Sequence, residues 1–211
     1  EGKIKTTDNS KHSTTMKTKQ FFANAASKAL ALAATVMMMS MAFSACSSDN
    51  DDPKPDPEPE LKANTVTFDG VEKPVLSAEY DDKGYGNYYL FLNLDAKGEE
   101  YLTVGVNKML HITGSAIDLA KKEPERDGPY WLLSYITSKN KNLFTTEGRP
   151  SNIPHPDGNF YPVFVSATLT VIGDVEGTMK IVLKNGRVKG EDGKEHTITA
   201  SYSGTMTKLK K

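Results

Sequence analysis

The chain has 211 residues, with 26 Lys and Arg against 27 Asp and Glu, a formal net charge of −1 and a single cysteine. A balance so close to neutral supplies no counter-ion release for nucleic-acid binding and no general attraction to an anionic membrane face. One thiol excludes an internal disulfide, CxxC redox chemistry and a thiolate zinc site.

Residues 1–15 are polar and precede Met16, a candidate initiator, so they are read as an upstream extension that is not part of the protein. Lys17 and Lys19 give a basic start. Phe21 and Phe22 open a mostly apolar run that resumes at Ala29, Leu30, Ala31 and Leu32 and continues through Val36 to Met41, and Ser44 and Ala45 stand directly before Cys46. A basic start, an apolar core of about 7 to 15 residues and small residues at the cut make a secretory signal. Lys28 confines the mostly apolar run to residues 29–43, short of the about 20 apolar residues that a transmembrane helix needs. A core helix would require the chain to fold back, and the residues beyond Cys46 are charged and proline-rich. Residues 16–45 are therefore expected to be a signal peptide. The stretch Phe43-Ser44-Ala45-Cys46 resembles the bacterial lipobox, with Phe43 where Leu is usual. That resemblance implies a diacylglyceryl group on the Cys46 thiol, cleavage just before it, and a membrane as partner through the lipid.

Residues 46–62 hold Asp49, Asp51, Asp52, Asp56, Glu58 and Glu60 against Lys54 and Lys62, with Pro53, Pro55, Pro57 and Pro59 interleaved. With no apolar side chain from residue 47 to residue 60, the stretch cannot offset its ordering entropy by burial. It is expected to be a disordered, extended acidic spacer. The acidic cluster after Cys46 resembles the surface-export signal of Bacteroidota lipoproteins, which implies a place on the cell outer membrane, facing outward. Removing residues 1–61 leaves a remainder with no net charge.

Residues 63–211 read as an all-β domain, an antiparallel β-sandwich or alternatively a β-barrel, of about eight or nine short strands between Gly, Asp and Asn turns. Strands are expected at 65–68, 75–80 and 87–94, the last with Tyr88, Leu90, Leu92 and Leu94 on one face and Tyr89 and Phe91 on the other. Strands at 101–106 and 109–112 come next. Glu99-Glu100 and Asp81-Asp82 read as solvated turns. A brief helical turn is expected at 116–122, stopped by Glu123-Pro124, then a strand at 130–137 and an irregular stretch at 138–159, long enough to suggest a functional loop. After it, Val163, Val165, Ala167, Leu169 and Val171 alternate with polar residues, as do Met179, Ile181 and Leu183 and then Ile198, Ala200 and Tyr202. Asn185-Gly186 and Asp192-Gly193 signal tight turns.

Chemistry is sparse. There is no HExxH, no paired metal-ligand spacing, no glycine-rich phosphate cradle and no Gly-x-Ser-x-Gly, so no cofactor and no metal is expected. His111 reads as a satisfied, partly buried ring, His155 sits between two prolines, and His196 shares a strand face with Ile198. Asp118 is the most confined acid by sequence, and a turn-capping role fits it better than catalysis. The strongest functional cluster is aromatic. Tyr130, Trp131, Tyr135 and Tyr161 border the long loop and, where exposed, would suit a sugar or a protein surface, although core packing is the usual fate of strand aromatics. The whole plan resembles the small β-rich surface lipoproteins of gut-type Bacteroidota. It implies a non-catalytic binding or adhesion module with a glycan or protein ligand. The alternatives are a polysaccharide-acting hydrolase using Asp118 and Glu147, or a structural part of an envelope complex.

Overall fold

A computed structural model describes residues 61–137, 139 and 141–210. The upstream extension, the signal peptide, Cys46 and all but the last two residues of the spacer lie outside the described residues.

In chain order the elements are β1 (Thr65–Phe68), β2 (Val71–Pro74), β3 (Ser77–Gly84), β4 (Asn87–Asn93), β5 (Tyr101–Asn107), α1 (Lys108–His111), β6 (Ala116–Asp118), β7 (Leu132–Thr137), β8 (Lys141–Glu147), β9 (Ser166–Gly173), β10 (Thr178–Lys189), β11 (Glu195–Thr205) and β12 (Thr207–Lys208). They form two six-stranded sheets, ordered β2-β1-β11-β10-β9-β6 and β12-β3-β4-β5-β7-β8. β12 lies parallel to β3, and the other pairings are antiparallel. The sheets are open and lie face to face, so the fold is the sandwich and not the barrel. Leu90, Leu92, Leu102, Val104 and Leu133 of the second sheet meet Leu169, Val171, Met179, Ile181 and Leu183 of the first in one buried core. Removing such side chains from water is the main favourable contribution to folding.

An aromatic ladder runs between the sheets. His196 stacks on Phe68 at 5.1 Å, Phe68 on Tyr135 at 4.7 Å and Tyr135 on Phe144 at 6.3 Å, and Phe144 meets Phe164 edge-on at 5.6 Å. Offset and edge-on ring pairs of this kind add to what their burial alone gives.

Twelve strands replace the eight or nine expected from the sequence. β2, β6 and β12 have four, three and two residues, too few for an alternation to be legible. β8 falls inside the stretch read as irregular, because two of its three buried positions, Thr146 and Glu147, are polar. The helical turn lies at Lys108–His111, where a strand was expected, capped by Asn107 Oδ1 accepting from the amides of Met109 and Leu110 at 3.0 and 3.3 Å. Residues 116–118 form β6 against β9 instead. Asn185-Gly186 is no hairpin turn but a bulge inside β10, with Asn185 at φ +52° and the register shifting beside it. The hairpin turn between β10 and β11 carries the second signal, with Gly193 at φ +80° and the Lys194 amide donating to Asp192 Oδ1 at 3.0 Å.

Candidate functional site

β8 is the outer strand of the second sheet, and two crossing segments partly cover its free edge. The Glu147 amide donates to Pro162 O at 3.0 Å, and the Glu191 amide donates to Leu143 O at 2.7 Å. The strap from β8 to β9, residues 148–165, meets this edge at Pro162, and the β10–β11 turn meets it at Glu191. Three hollows open beside the strap. The first, of about 540 Å³, is lined by Asn142, Asn159, Phe160, Tyr161, Pro162 and Glu191. A narrow throat of about 40 Å³ shares Phe160 and Tyr161 with it and adds Lys122, Glu147, Arg149 and Ile153. The third, of about 380 Å³, shares Arg149 and Ile153 with the throat and adds Glu125, Arg126, Asp127, Gly128 and Tyr130. Shared walls make them one groove.

A dense polar network ties its lining residues Lys122, Arg126, Glu147 and Arg149 to neighbouring groups. His111 is buried, and its Nδ1 accepts from the Asn107 amide at 2.9 Å, which leaves Nε2 to donate to Glu123 Oε1 at 3.0 Å. Glu123 also accepts from Arg126 at 2.9 Å and from the Trp131 amide at 3.0 Å. Burial pushes the Glu123 carboxyl up, but the bonds from His111, Arg126 and Trp131 outweigh it and hold the group below its ordinary value. The Lys122 ammonium donates to Glu147 O at 3.0 Å and Tyr161 O at 2.6 Å, tying the strap to β8. Burial lowers its pKa, with the Glu147 charge opposing. Arg149 Nε donates to Glu147 Oε1 at 2.9 Å. Both Arg126 and Arg149 rest on the Tyr130 ring, 4.9 and 4.8 Å from its centre, a cation–π arrangement that orients both guanidiniums.

The strap is braced from within. The Tyr161 hydroxyl donates to Asp157 Oδ2 at 2.6 Å and the Asn159 amide donates to Asp157 Oδ1 at 2.9 Å. Together they hold the Asp157 carboxyl well below the carboxylate range. The same bond to Asp157 raises the Tyr161 pKa. His155 meets the Tyr161 ring edge-on at 5.4 Å. Phe160, by contrast, is 62% exposed and projects from this braced segment.

The aromatics singled out by sequence divide. Trp131 is 0%, Tyr135 2% and Tyr130 5% exposed, so the first two are core side chains and Tyr130 is the ring on which two arginines rest. Tyr161 alone contributes to the groove wall as a partly exposed side chain, and the four share no exposed patch. Asp118 and Glu147 are not brought to a common hollow. Asp118 is half-exposed on β6, accepting from the Ala120 amide at 3.0 Å and paired with Lys121 at 2.9 Å, the turn-capping role. Glu147 is buried against Arg149. Glu100, read as part of a solvated turn, is buried too: both its oxygens take Lys73 Nζ, at 2.6 and 2.7 Å, and Oε1 accepts from the Tyr135 hydroxyl. Sequence reasoning passed over Arg126, Arg149 and Glu123. Their signal was the pair of charged clusters punctuated by Gly or Pro, Glu123 to Gly128 and Glu147 to Pro150.

Among the described residues no group of three or more His, Cys, Asp or Glu side chains is placed to hold a metal ion, and no helix is long and apolar enough to cross a membrane. A further hollow of about 590 Å³ beside β3 and β12 is lined by Asp81, Asp82, Lys83, Gly84, Lys208 and Leu209. It has no ring in its wall, and its lysines pair with Asp81 at 2.5 Å and Asp82 at 3.6 Å. Fold and site together define an open two-sheet β-sandwich with a groove of planar polar and aromatic side chains along one sheet edge. No protein-family model, curated protein or solved structure matches the chain.

Proposed function

We propose that the protein is a lipid-anchored surface lipoprotein whose β-sandwich acts as a non-catalytic binding module, with the groove beside β8 as its ligand site for a glycan or a protein. The observation that carries the reading is the groove itself. Its two wider hollows, about 540 and 380 Å³, lie in the size range of ligand sites, and its polar wall is preorganised by the Glu123, Glu147 and Asp157 bonds. Preorganised walls bind without spending affinity on ordering. Two of the carboxylates at or behind its wall, Glu147 and Glu123, are occupied by His111, Arg126 and Arg149. Such an arrangement serves to position side chains and leaves those acids poorly suited to proton transfer.

The anchor half of the proposal rests on the lipobox-like Phe43-Ser44-Ala45-Cys46 stretch and the acidic spacer. Cys46→Ser is expected to abolish lipid labelling and release the protein from the membrane fraction; unchanged labelling and fractionation would refute the anchor. The binding half is tested by a glycan array together with a pull-down on the full chain. Silence in both overturns it.

A further inference from the structure

The groove's chemistry narrows the ligand. Its wider hollow carries one charged side chain, Glu191, among its six lining residues, together with the amides Asn142 and Asn159 and the Tyr161 ring. A negative group there repels an anionic ligand. In the other hollow Arg126 and Arg149 face Glu125 and Asp127, so charge balances within one wall. Lys122 is already taken up by two carbonyl oxygens. Arg126 is bonded to Glu123 and Pro129 O, and Arg149 to Glu147. The narrower hollow has planar donors and acceptors whose charges cancel, and the wider one carries the Glu191 charge alone. Such a mixture matches vicinal hydroxyls, each both donor and acceptor.

Phe160 supplies the remaining element. It is 62% exposed although its neighbours on both sides are fixed, Asn159 and Tyr161 through Asp157 and Pro162 through Glu147. A solvent-facing ring on a rigid strap forgoes burial that a small rearrangement of a loose loop would recover. Its place in the wall between the wider hollow and the throat sets it beside the amides. The C–H face of a pyranose ring packs on an aromatic ring while its hydroxyls meet planar polar side chains around the rim.

We infer that the groove binds a neutral glycan chain, with one pyranose ring stacked on Phe160 and bonded by Asn142, Asn159 and Glu191, and the following units directed toward Arg149 and Arg126. The inference rests on the binding-module reading and names its ligand class.

The test is affinity electrophoresis of the full chain through gels containing a panel of neutral polysaccharides built on glucose, mannose, galactose or xylose, with polygalacturonate as the anionic member, alongside the protein pull-down. At least one neutral polysaccharide is expected to retard the protein. Phe160→Ala should weaken that retardation at least about tenfold, Phe160→Trp should restore it, and Tyr85→Ala, which removes a fully exposed ring on the β3–β4 turn, should leave it unchanged. Matching melting curves for the three variants establish that the effect is local. Retardation by polygalacturonate alone, or equal losses from Phe160→Ala and Tyr85→Ala, overturns the neutral-glycan inference while the binding-module reading stands. The same holds if no polysaccharide retards the chain and the pull-down returns a protein partner. Failure of both assays overturns the two together.

Discussion

Trp131 is fully buried, and its indole is packed against a residue with no side chain. A Cβ built on Gly148 would lie 2.5 Å from Trp131 Nε1 and 2.8 Å from both Cδ1 and Cε2, well inside van der Waals contact. Neither partner can retreat easily. The Gly148 amide donates to Trp131 O at 2.9 Å, the Trp131 amide donates to Glu123 at 3.0 Å, and the core surrounds the ring. Gly148→Ala should therefore cost about 1–3 kcal/mol, the usual range for overpacking a filled interior, read as a lower urea midpoint at unchanged slope. Gly177→Ala is the control: its nearest neighbour atom would be 3.7 Å away, and the midpoint should barely move. The same packing explains why the sequence pointed to Trp131 and Tyr135 as ligand contacts. A strand aromatic beside a loop reads alike whether its ring turns in or out, and what turns these rings inward is contact with Gly148, Phe68 and Phe144, remote in sequence. Phe160 stays outside because the bonds of Asp157 and Pro162 fix the strap around it.

Lys73 on β2, Glu100 before β5 and Tyr135 on β7 join the edge of one sheet to the middle of the other through a single buried carboxylate. Burial first, and then the bond to Glu100, raise the Tyr135 hydroxyl far above its ordinary pKa, so the phenol remains a donor. Glu100→Gln keeps the shape but replaces a charge-assisted pair by neutral bonds and leaves the Lys73 ammonium, 35% exposed, without its counter-charge. The expected loss is about 1–3 kcal/mol, below that of a fully buried pair because water screens the lysine. Tyr135→Phe leaves the ion pair intact and should cost nearer to about 1 kcal/mol. Equal losses, measured by urea unfolding, would mean that the lysine contributes nothing. None of this was legible in Glu99-Glu100, which the sequence presents as a turn, since nothing local marks which of two adjacent acids faces inward. The long alternations of β4, β9 and β11 were legible, because a half-buried strand longer than about five residues writes its period into the chain. β8 was hidden by its own surroundings: an edge strand that lines a polar groove buries Thr146 and Glu147. In Asn185-Gly186 the residues demanded a positive φ and obtained it in a bulge, where a Cβ on Gly186 would lie 2.4 Å from Ile198 O.

Two histidine–carboxylate clusters, around His196 and around Glu123, tie separate parts of the sandwich together, and they carry opposite pH signatures. His196 reaches Asp69 through Nδ1 at 2.6 Å and Asp192 through Nε2 at 3.0 Å, joining the β1–β2 and β10–β11 turns while its ring stacks on Phe68. Burial opposes its charge, but the two carboxylates prevail and raise its pKa above the ordinary 6.5. That contribution to stability is complete below 6.5 and is lost as pH rises through the raised value. The Glu123 carboxyl joins α1 to Arg126 and to Trp131, just before β7, with its pKa below the ordinary 4.5. Its contribution is complete above 4.5 and is lost as pH falls through the lowered value. Unfolding free energy should thus be greatest between 4.5 and 6.5, with other lowered carboxylates, Asp157 and Asp192 among them, adding to the acid limb. His196→Gln should flatten the decline above 6.5 and leave the Glu123 share of the acid limb in place, and Glu123→Gln should reduce the acid limb and leave the alkaline one, read from urea titrations across pH. A wild-type alkaline limb retained in His196→Gln would show that the two turns are held by Phe68 stacking and backbone bonds alone. The Asp69 and Asp192 contacts would then be consequences of the fold and would contribute nothing to its stability.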